Sequence, residues 1–176
     1  RSTENSMDVS HFPFVHPELL GDPDAPQQDP YELHAEDWGQ WFRVPNQFWR
    51  SVDGTQNSRI TYVYTHVYPF TMHLYVTVDG DTSGNVMSVM VIASPTAAKK
   101  TKVFRIAFRN YVETNANFVS DYLFILEQDR VVVESIRPEE IPASLKEELH
   151  IKVPDLSSIA FRRWLEDVDL QGVLEP

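Results

Sequence analysis

Residues 59–113 carry the pattern of antiparallel strands, and in their clearest segment apolar and polar side chains alternate with a period of two. In the clearest segment the apolar positions are Phe70, Met72, Leu74, Val76 and Val78. Such alternation is typical of a strand with one buried face. The segments 59–68, 86–92 and 102–111 are also rich in β-branched and aromatic residues, and Gly80 and Gly84 mark a turn. The pattern predicts a meander of antiparallel strands.

Steps of three and four residues replace this alternation further along and predict a long helix over residues 117–137. The apolar stripe of that helix consists of Phe118, Tyr122, Ile125, Val132, Val133 and Ile136. Asp129 lies close to the centre of the stripe, whereas Glu127 and Glu134 lie on the opposite side. A carboxylate that faces the core is costly unless it binds a metal or is paired. We therefore expect Asp129 either to bind a metal or to contact an arginine or backbone group.

The flanking segments are less regular. Residues 17–58 carry many prolines and glycines and are expected to be loop-like. They also contain a dense aromatic cluster, expected in the core or a pocket wall: Trp38, Trp41, Phe42, Phe48 and Trp49. A last helix is predicted near residues 155–168, with Asp155 as its cap. We expect His34 to be a surface residue and His150 to be structural.

Composition narrows the functional classes. A chain of 176 residues with 42% hydrophobic side chains suits one globular domain. The net charge of −11 argues against nucleic acid or an anionic membrane as the main partner. Without a long apolar run or a signal-peptide pattern, we expect no membrane span and a cytoplasmic location. The sequence contains no cysteine, so this chain cannot itself hold an iron–sulfur cluster.

Two histidines near the start, His11 and His16, are candidate metal ligands, since imidazole binds iron, zinc, copper and nickel. Positions five apart on a regular helix diverge by roughly 140°. Pro13 interrupts the helix between them, and a π-bulge there would bring His16 to the face of His11. Asp8, one turn before His11, is placed to orient that imidazole. The alternative interpretation is a helix with two unrelated histidines.

The spacing Asn-x2-Asp-x2-His-x4-His, from Asn5 to His16, resembles the first part of the iron site in Rieske non-haem iron oxygenases. The segments 126–135, 137–142, 148–150 and 160–165 resemble the C-terminal run of the same family, in the same order. The resemblance is strongest to the branch of vanillate demethylase-like, dicamba demethylase-like and pheophorbide oxygenase-like enzymes. Ile136 departs from the pattern, since many relatives carry glutamine there.

This resemblance implies an α+β helix-grip fold, in which a curved antiparallel sheet surrounds a long helix. It implies that His11, His16 and Asp129 hold mononuclear iron(II), which activates O2. Residues 1–176 would be the C-terminal catalytic domain of a longer oxygenase. The expected N-terminal domain carries a Rieske 2Fe–2S cluster that is reduced by a reductase using NAD(P)H or by a ferredoxin. In the family the aspartate matching Asp8 bridges to a cluster ligand of the neighbouring subunit, which implies a homotrimer.

An oxygenase of this kind needs a substrate pocket. We expect Asn5 and Asp8 to be catalytic residues beside the metal, and an aromatic or flat apolar substrate that is hydroxylated, demethylated or desaturated. The predicted substrate-binding residues are Tyr62, Tyr64, Phe70, Met72 and Tyr75. One alternative is a non-catalytic carrier of small apolar ligands on the same fold. Another is a zinc hydrolase, which the lack of an obvious general-base glutamate beside the histidines disfavours.

Overall fold

The computed structural model describes residues 1–17, 19–50, 57–111, 115–142 and 144–168, and the side chains of residues 115–118 lie outside the described part. The described helices are α1 (Ser2–Met7), α2 (Phe12–Val15), α3 (Asn115–Ser135) and α4 (Leu156–Asp167), with a 3-10 turn at Leu145–Glu147. The described strands are β1 (Leu33–Glu36), β2 (Gly39–Arg50), β3 (Asn57–Val67), β4 (Thr71–Val78), β5 (Val86–Ala97) and β6 (Lys100–Arg109).

The six strands form one antiparallel sheet in the order of the sequence, from β1 to β6. The predicted meander is confirmed. Because side chains alternate along each strand, one face collects the buried residues of the central strands. They are Ile60, Tyr62, Tyr64, Met72, Val76, Val89 and Val91. The helices lie on this face, so the α+β architecture follows the prediction.

The loop predicted for residues 17–58 is wrong over its second half, because β1 and β2 occupy residues 33–50 except for a short turn. Pro45 and Asn46 lie at an irregularity in the pairing of β2 with β3, and Asn46 has a positive φ of 59°. A bulge of this kind accommodates a proline inside a strand. Phe42 is fully buried, as expected for the aromatic cluster, but Trp38 lies in the β1–β2 turn and is 47% exposed.

The single bulged helix predicted at the start is also wrong. After α1 the backbone is extended at Asp8, with ψ of 123°, and a separate short helix begins at Phe12. Pro13 lies in the first turn of α2, where its missing N–H removes no helical hydrogen bond. His11 and His16 are the residues that flank α2 at its two ends.

Helix α3 begins and ends two residues earlier than predicted, and it meets α1 and α2. Tyr122 and Ile125 pack against the core as predicted, whereas Val132 is 39% exposed. At α4, Asp155 occupies the cap position, but its carboxylate accepts from the Ile151 N–H at 2.7 Å and makes no cap bond. Among the described residues, no helix is long and apolar enough to cross a membrane.

A buried polar cluster joins α4 to the sheet. Gln40 on β2 and His66 on β3 are both fully buried. The Gln40 side-chain amide donates to the Ser157 carbonyl at 3.0 Å, and it lies 3.5 Å from His66 Nδ1. His66 Nε2 donates to the Pro69 carbonyl at 3.0 Å, and its ring contacts Phe161 edge-on. These contacts hold His66 in one neutral tautomer.

Stability should therefore depend on pH through His66. Burial lowers the pKa of His66 from 6.5 to about 4, and the hydrogen bond to Pro69 opposes this only in part. The unfolded chain takes up a proton near pH 6.5 whereas the folded chain stays neutral. The contribution is complete above pH 6.5, is lost as the pH falls to about 4, and amounts to about 3 kcal/mol. Urea unfolding between pH 7 and pH 4 measures this.

The variant His66→Gln should show a shallower pH dependence than the wild-type protein. Equal slopes for His66→Gln and the wild type would show that His66 does not titrate in this window.

A second buried cluster joins α1 to α4 through charges. Arg162 on α4 is 4% exposed and donates to both carboxylate oxygens of Glu4, at 2.5 and 3.0 Å. It also donates to Glu148 at 2.6 Å, and Arg1 pairs with the same Glu148 carboxylate at 2.5 Å. The two arginines lower the pKa of Glu148 to about 2. Glu4 lies one residue before Asn5. This cluster therefore fixes α1, and Asn5 with it, close to the predicted metal ligands.

Candidate metal centre

Helix α2 places two imidazoles on one side of α3. His11 precedes the helix and His16 follows it, and their ring centroids are 5.3 Å apart. Asp129 of α3 is 8% exposed and faces the same point. One ligand atom from each of His11, His16 and Asp129 lies within 4.8 Å of the others. The structure therefore brings the three predicted metal ligands together.

The hydrogen bonds fix which nitrogen of each ring faces this point. His11 Nδ1 donates to Asp8 Oδ2 at 3.1 Å, and His16 Nδ1 donates to Gln128 Oε1 at 2.8 Å. Both Nε2 atoms approach Asp129 Oδ1, at 3.3 Å from His11 and 3.0 Å from His16. A histidine ligand commonly binds through one nitrogen while the other donates to an orienting acceptor. Each ring here is held in that orientation.

The carboxylates dominate the electrostatics of this site. Burial by itself lowers the pKa of His11, but Asp129 and Asp8 outweigh it and raise the pKa to about 9. Burial raises the pKa of Asp129, yet the nearby rings of His11 and His16 and the Asn5 side chain bring it well below its usual range. Asp129 is therefore ionised, with a negative charge available to a cation.

The residues fit a metal ion in two respects. His11 Nε2 is buried and, among the described residues, accepts or donates no well-aligned hydrogen bond, although it lies 3.3 Å from Asp129 Oδ1. An unsatisfied buried nitrogen of this kind is costly unless something binds it. Two imidazoles and one carboxylate with open positions are the donor set of mononuclear iron(II), and zinc sites use the same ligand types.

Asn5 and Arg105 complete the surroundings of Asp129. Asn5 on α1 hydrogen-bonds the Asp129 carboxylate, so the predicted pair Asn5 and Asp8 does reach the candidate ligands. On the far side, Arg105 of β6 places its Nη2 atom 3.5 Å from Asp129 Oδ2. Asp8 is further held by the Ser10 N–H, which donates to its Oδ1 at 2.7 Å.

Two cavities meet at this point. One, of about 410 Å³, lies between α3 and the sheet and is lined mainly by apolar and aromatic side chains. The other is a groove of about 1430 Å³ between α3 and β6, with more charged walls. The residues common to both are Asn5, Ser6, Val89, Arg105, Tyr122 and Asp129. The candidate metal centre is thus reached from both sides.

Comparison with known proteins places the chain in a family. Residues 1–169 match the family described as the vanillate O-demethylase oxygenase C-terminal domain. The chain belongs to this family. The predicted relationship to the catalytic domain of Rieske-type oxygenases is thereby confirmed, together with its vanillate demethylase branch.

Individual relatives of this oxygenase domain are N-demethylases. The chain is 29% identical over 175 residues to methylxanthine N1-demethylase NdmA of Pseudomonas putida, covering 96% of this chain and 46% of the relative. It is 25% identical over 173 residues to the probable methylxanthine N7-demethylase NdmC of Pseudomonas sp. (strain TJI-51), covering 95% of this chain and 60% of the relative. The chain spans about half the length of the curated relatives it matches.

Solved structures agree on the fold of this oxygenase domain. Pseudomonas putida CBB5 NdmB superposes with a TM-score of 0.76 at 25% identity, covering 98% of this chain and 46% of that one. The NdmA QL mutant with caffeine gives the same TM-score at 24% identity, covering 95% and 45%. The helix-grip architecture of the chain is therefore that of known oxygenase catalytic domains.

The predicted substrate residues divide into two groups in this oxygenase domain. Tyr62, Tyr64 and Met72 line the smaller cavity and are buried. Tyr75 lies on the opposite face of β4, is 38% exposed and does not line that cavity, because Leu74 and Val76 point inward instead. Phe70 precedes β4 and packs against the core without lining the cavity.

Sequence reasoning missed two contributors to the site of this oxygenase domain. Gln128 holds His16, and its only signal in the sequence is its position directly before Asp129. Arg105 is visible in the sequence only as a charge that alternates with Phe104 and Phe108 on β6. Neither could be assigned without knowing that α2, α3 and β6 converge at one point.

Proposed function

We propose that this chain is the catalytic domain of a Rieske-type oxygenase, and that His11, His16 and Asp129 hold mononuclear iron(II). The single observation that carries the proposal is the convergence of two Nε2 atoms and one carboxylate oxygen within 4.8 Å. Iron(II) bound by two histidines and one carboxylate supplies O2 activation. A carrier of apolar ligands has no need of such a donor set, and the match to an oxygenase family supports the same reading.

The residues of this chain do the orienting around the metal. The Asp8 and Gln128 acceptors fix the two imidazoles, and Asn5 holds the Asp129 carboxylate. Outer contacts of this type set ligand geometry and raise ligand basicity. We therefore assign Asp8 and Asn5 the role of orienting the ligands, next to the proposed metal.

The cavity between α3 and the sheet is the proposed substrate site. Its volume of about 410 Å³ and its apolar walls suit a small flat molecule. Tyr62, Tyr64 and Met72 line it, and burial raises the pKa of both tyrosines, so their hydroxyls stay protonated and can donate. An aromatic or heteroaromatic substrate fits, and the names of the relatives support a methyl group as the target of oxidation.

The partners are proposed from the family resemblance. Electrons would come from a Rieske 2Fe–2S cluster in an N-terminal domain of the complete protein, reduced by a reductase or a ferredoxin. The longer relatives leave room for such a domain, since this chain covers about half of them. A homotrimer would place the cluster of one subunit against the Asp8 side of the next.

Metal analysis tests the proposed function directly. Protein prepared without air should hold about one iron at this site for each chain, with no other metal in comparable amount. Stoichiometric zinc at His11, His16 and Asp129 would contradict the oxygenase and favour hydrolytic chemistry. A protein that binds no metal at these residues would favour the carrier instead.

The variant Asp8→Asn separates ligand orientation from electron transfer. If Asp8 only orients His11, iron affinity and activity should fall together by roughly 10–100-fold. If Asp8 also bridges to the cluster of the next subunit, we expect the full-length variant to keep most of its iron while cluster-to-iron electron transfer slows far more. Single-turnover kinetics on the pre-reduced enzyme, with iron measured on the same sample, distinguish the two.

Asp22→Asn is a matched control, since Asp22 pairs with Arg59 away from the site and should keep wild-type transfer rates. Near-normal transfer in an iron-replete Asp8→Asn protein would leave Asp8 with a structural role only.

A further inference from the structure

The two oxygens of the Asp129 carboxylate have different surroundings. Oδ1 faces both imidazoles, 3.3 Å from His11 Nε2 and 3.0 Å from His16 Nε2. Oδ2 points the other way, 3.5 Å from Arg105 Nη2. Oδ1 is therefore the carboxylate oxygen nearest both imidazoles, and Oδ2 is the oxygen nearest the guanidinium of Arg105.

Among the described residues, few contacts other than the one with Asp129 account for the position of Arg105 on β6. It lies on β6 with its side chain 21% exposed, and its Nε atom is buried without a hydrogen bond to any described residue. Among the described residues, Asp129 is its ion-pair partner. A half-buried guanidinium with an unsatisfied N–H costs stability, so this position is not favourable for folding by itself. Its benefit must come through the carboxylate that it contacts.

Arg105 also stands where the two cavities meet, because its side chain lines both of them. The inward face of β6 carries Val103, Ala107 and Arg109 on either side of it, and all of these line only the groove. Arg105 is thus the one residue of β6, among those described, that reaches the metal centre and the smaller cavity.

We propose that Arg105 is a positioning residue that keeps Asp129 bound to the metal through Oδ1 alone. The proposal rests on the metal site of the proposed function. A carboxylate can bind a metal with one oxygen or with two. A charge-assisted bond from a guanidinium competes for the second oxygen. With Oδ2 held, one more coordination position stays open for O2 or substrate on the cavity side.

The choice of arginine agrees with this role. Its planar fork holds a carboxylate in a fixed direction, whereas a lysine ammonium on a flexible stem does not. Arg105→Lys keeps the charge but lacks the planar fork, so Asp129 should bind through one oxygen in only part of the molecules. Arg105→Met keeps the length of the apolar stem, removes the fork and should release Oδ2 to the metal.

The test is a pair of crystal structures of the full-length protein, wild type and Arg105→Met, both loaded with iron(II) without air. We expect one Asp129 oxygen on iron in the wild type and both oxygens in the variant. The high-spin EPR signal of the iron(II)–nitric oxide complex, recorded in solution, should change its rhombicity in Arg105→Met and shift partly back in Arg105→Lys. These readouts do not depend on turnover.

Arg109→Met is the matched control, since Arg109 lies on the same face of β6, about 13 Å further along the strand. It should leave the wild-type coordination and spectrum unchanged. Two Asp129 oxygens on iron in the wild type, or one oxygen and an unchanged spectrum in Arg105→Met, would overturn the role of Arg105 while leaving the iron site intact. Absence of iron from His11, His16 and Asp129 in the wild type would overturn the proposed function as well.

If Arg105→Met does not fold, the spectrum of Arg105→Lys decides. A partial change supports the proposal, and a spectrum identical to the wild type overturns it.

Discussion

Replacing Asp129 with alanine should abolish iron binding while the sheet still folds. Among the described residues, Asp129 is one of three converging groups that are the proposed ligands, and its ionised carboxylate supplies the negative charge of the set. Loss of an outer-shell partner costs roughly 10–100-fold in metal affinity or activity, and loss of a ligand should cost more. We expect iron content to fall from about one per site to near zero and oxygenase activity to disappear with it.

Two further variants make this result specific. Glu127→Ala removes an exposed carboxylate from the same helix, where it pairs with Arg130, and should keep full iron content. Asp129→Asn preserves the shape of the side chain and should lose most of the iron, because the amide carries no charge. Circular dichroism of each metal-free protein verifies the fold. Full iron retention in Asp129→Ala would show that the metal, if any, binds elsewhere.

The largest expected loss of stability comes from Arg162→Met. Arg162 is 4% exposed and bonds to Glu4 and Glu148, so its removal leaves two carboxylates close together, with Arg1 as their remaining cationic partner among the described residues. Removing one partner from a buried ionic cluster typically costs about 3–5 kcal/mol. Because Arg1 compensates in part, we expect about 3 kcal/mol, or roughly 6–12 °C in Tm for a domain of this size.

Arg163→Met provides the comparison at the next position of α4, where the side chain is exposed. It should change the free energy of unfolding by less than about 0.5 kcal/mol. Differential scanning calorimetry of both variants measures the contrast. Equal melting temperatures for the two would mean that the cluster around Arg162 contributes little to holding α1 on α4.

The sequence was most informative where a local pattern had one physical meaning. The period-two alternation predicted β4, and runs rich in β-branched and aromatic residues predicted β3, β5 and β6. The position of Asp129 on the apolar stripe of α3 predicted it as a buried residue. The prediction failed where prolines and glycines indicated a loop or a helix end that the structure does not have. Pro45 and Gly39 made a strand resemble a loop, although one lies at a bulge and the other begins β2. Pro13 indicates a break within one helix, whereas in the structure it belongs to the first turn of a second helix.

The parts of the site that could not be predicted depend on distant contacts. The register of β4 against its neighbours decides which of Tyr75 and Leu74 points inward. A run that mixes apolar and aromatic residues does not determine this register. Gln128 and Arg105 act only because α2, α3 and β6 meet, and no spacing in the sequence encodes that meeting. The contact between Asp8 and His11 could be predicted because the two residues are only three positions apart in the chain.

The proposed metal ligands lie far apart in the sequence, and their separation affects when the metal can bind during biosynthesis. His16 and Asp129 are separated by 113 residues, and all six strands lie between them. During translation, His11 and His16 would leave the ribosome long before Asp129. The two imidazoles alone supply two of the three proposed ligands. Since a preformed site rarely exists before folding, metal insertion should be a late, post-translational step. Nascent chains that are truncated before α3 should therefore contain no iron at this site, even when the cell has ample iron.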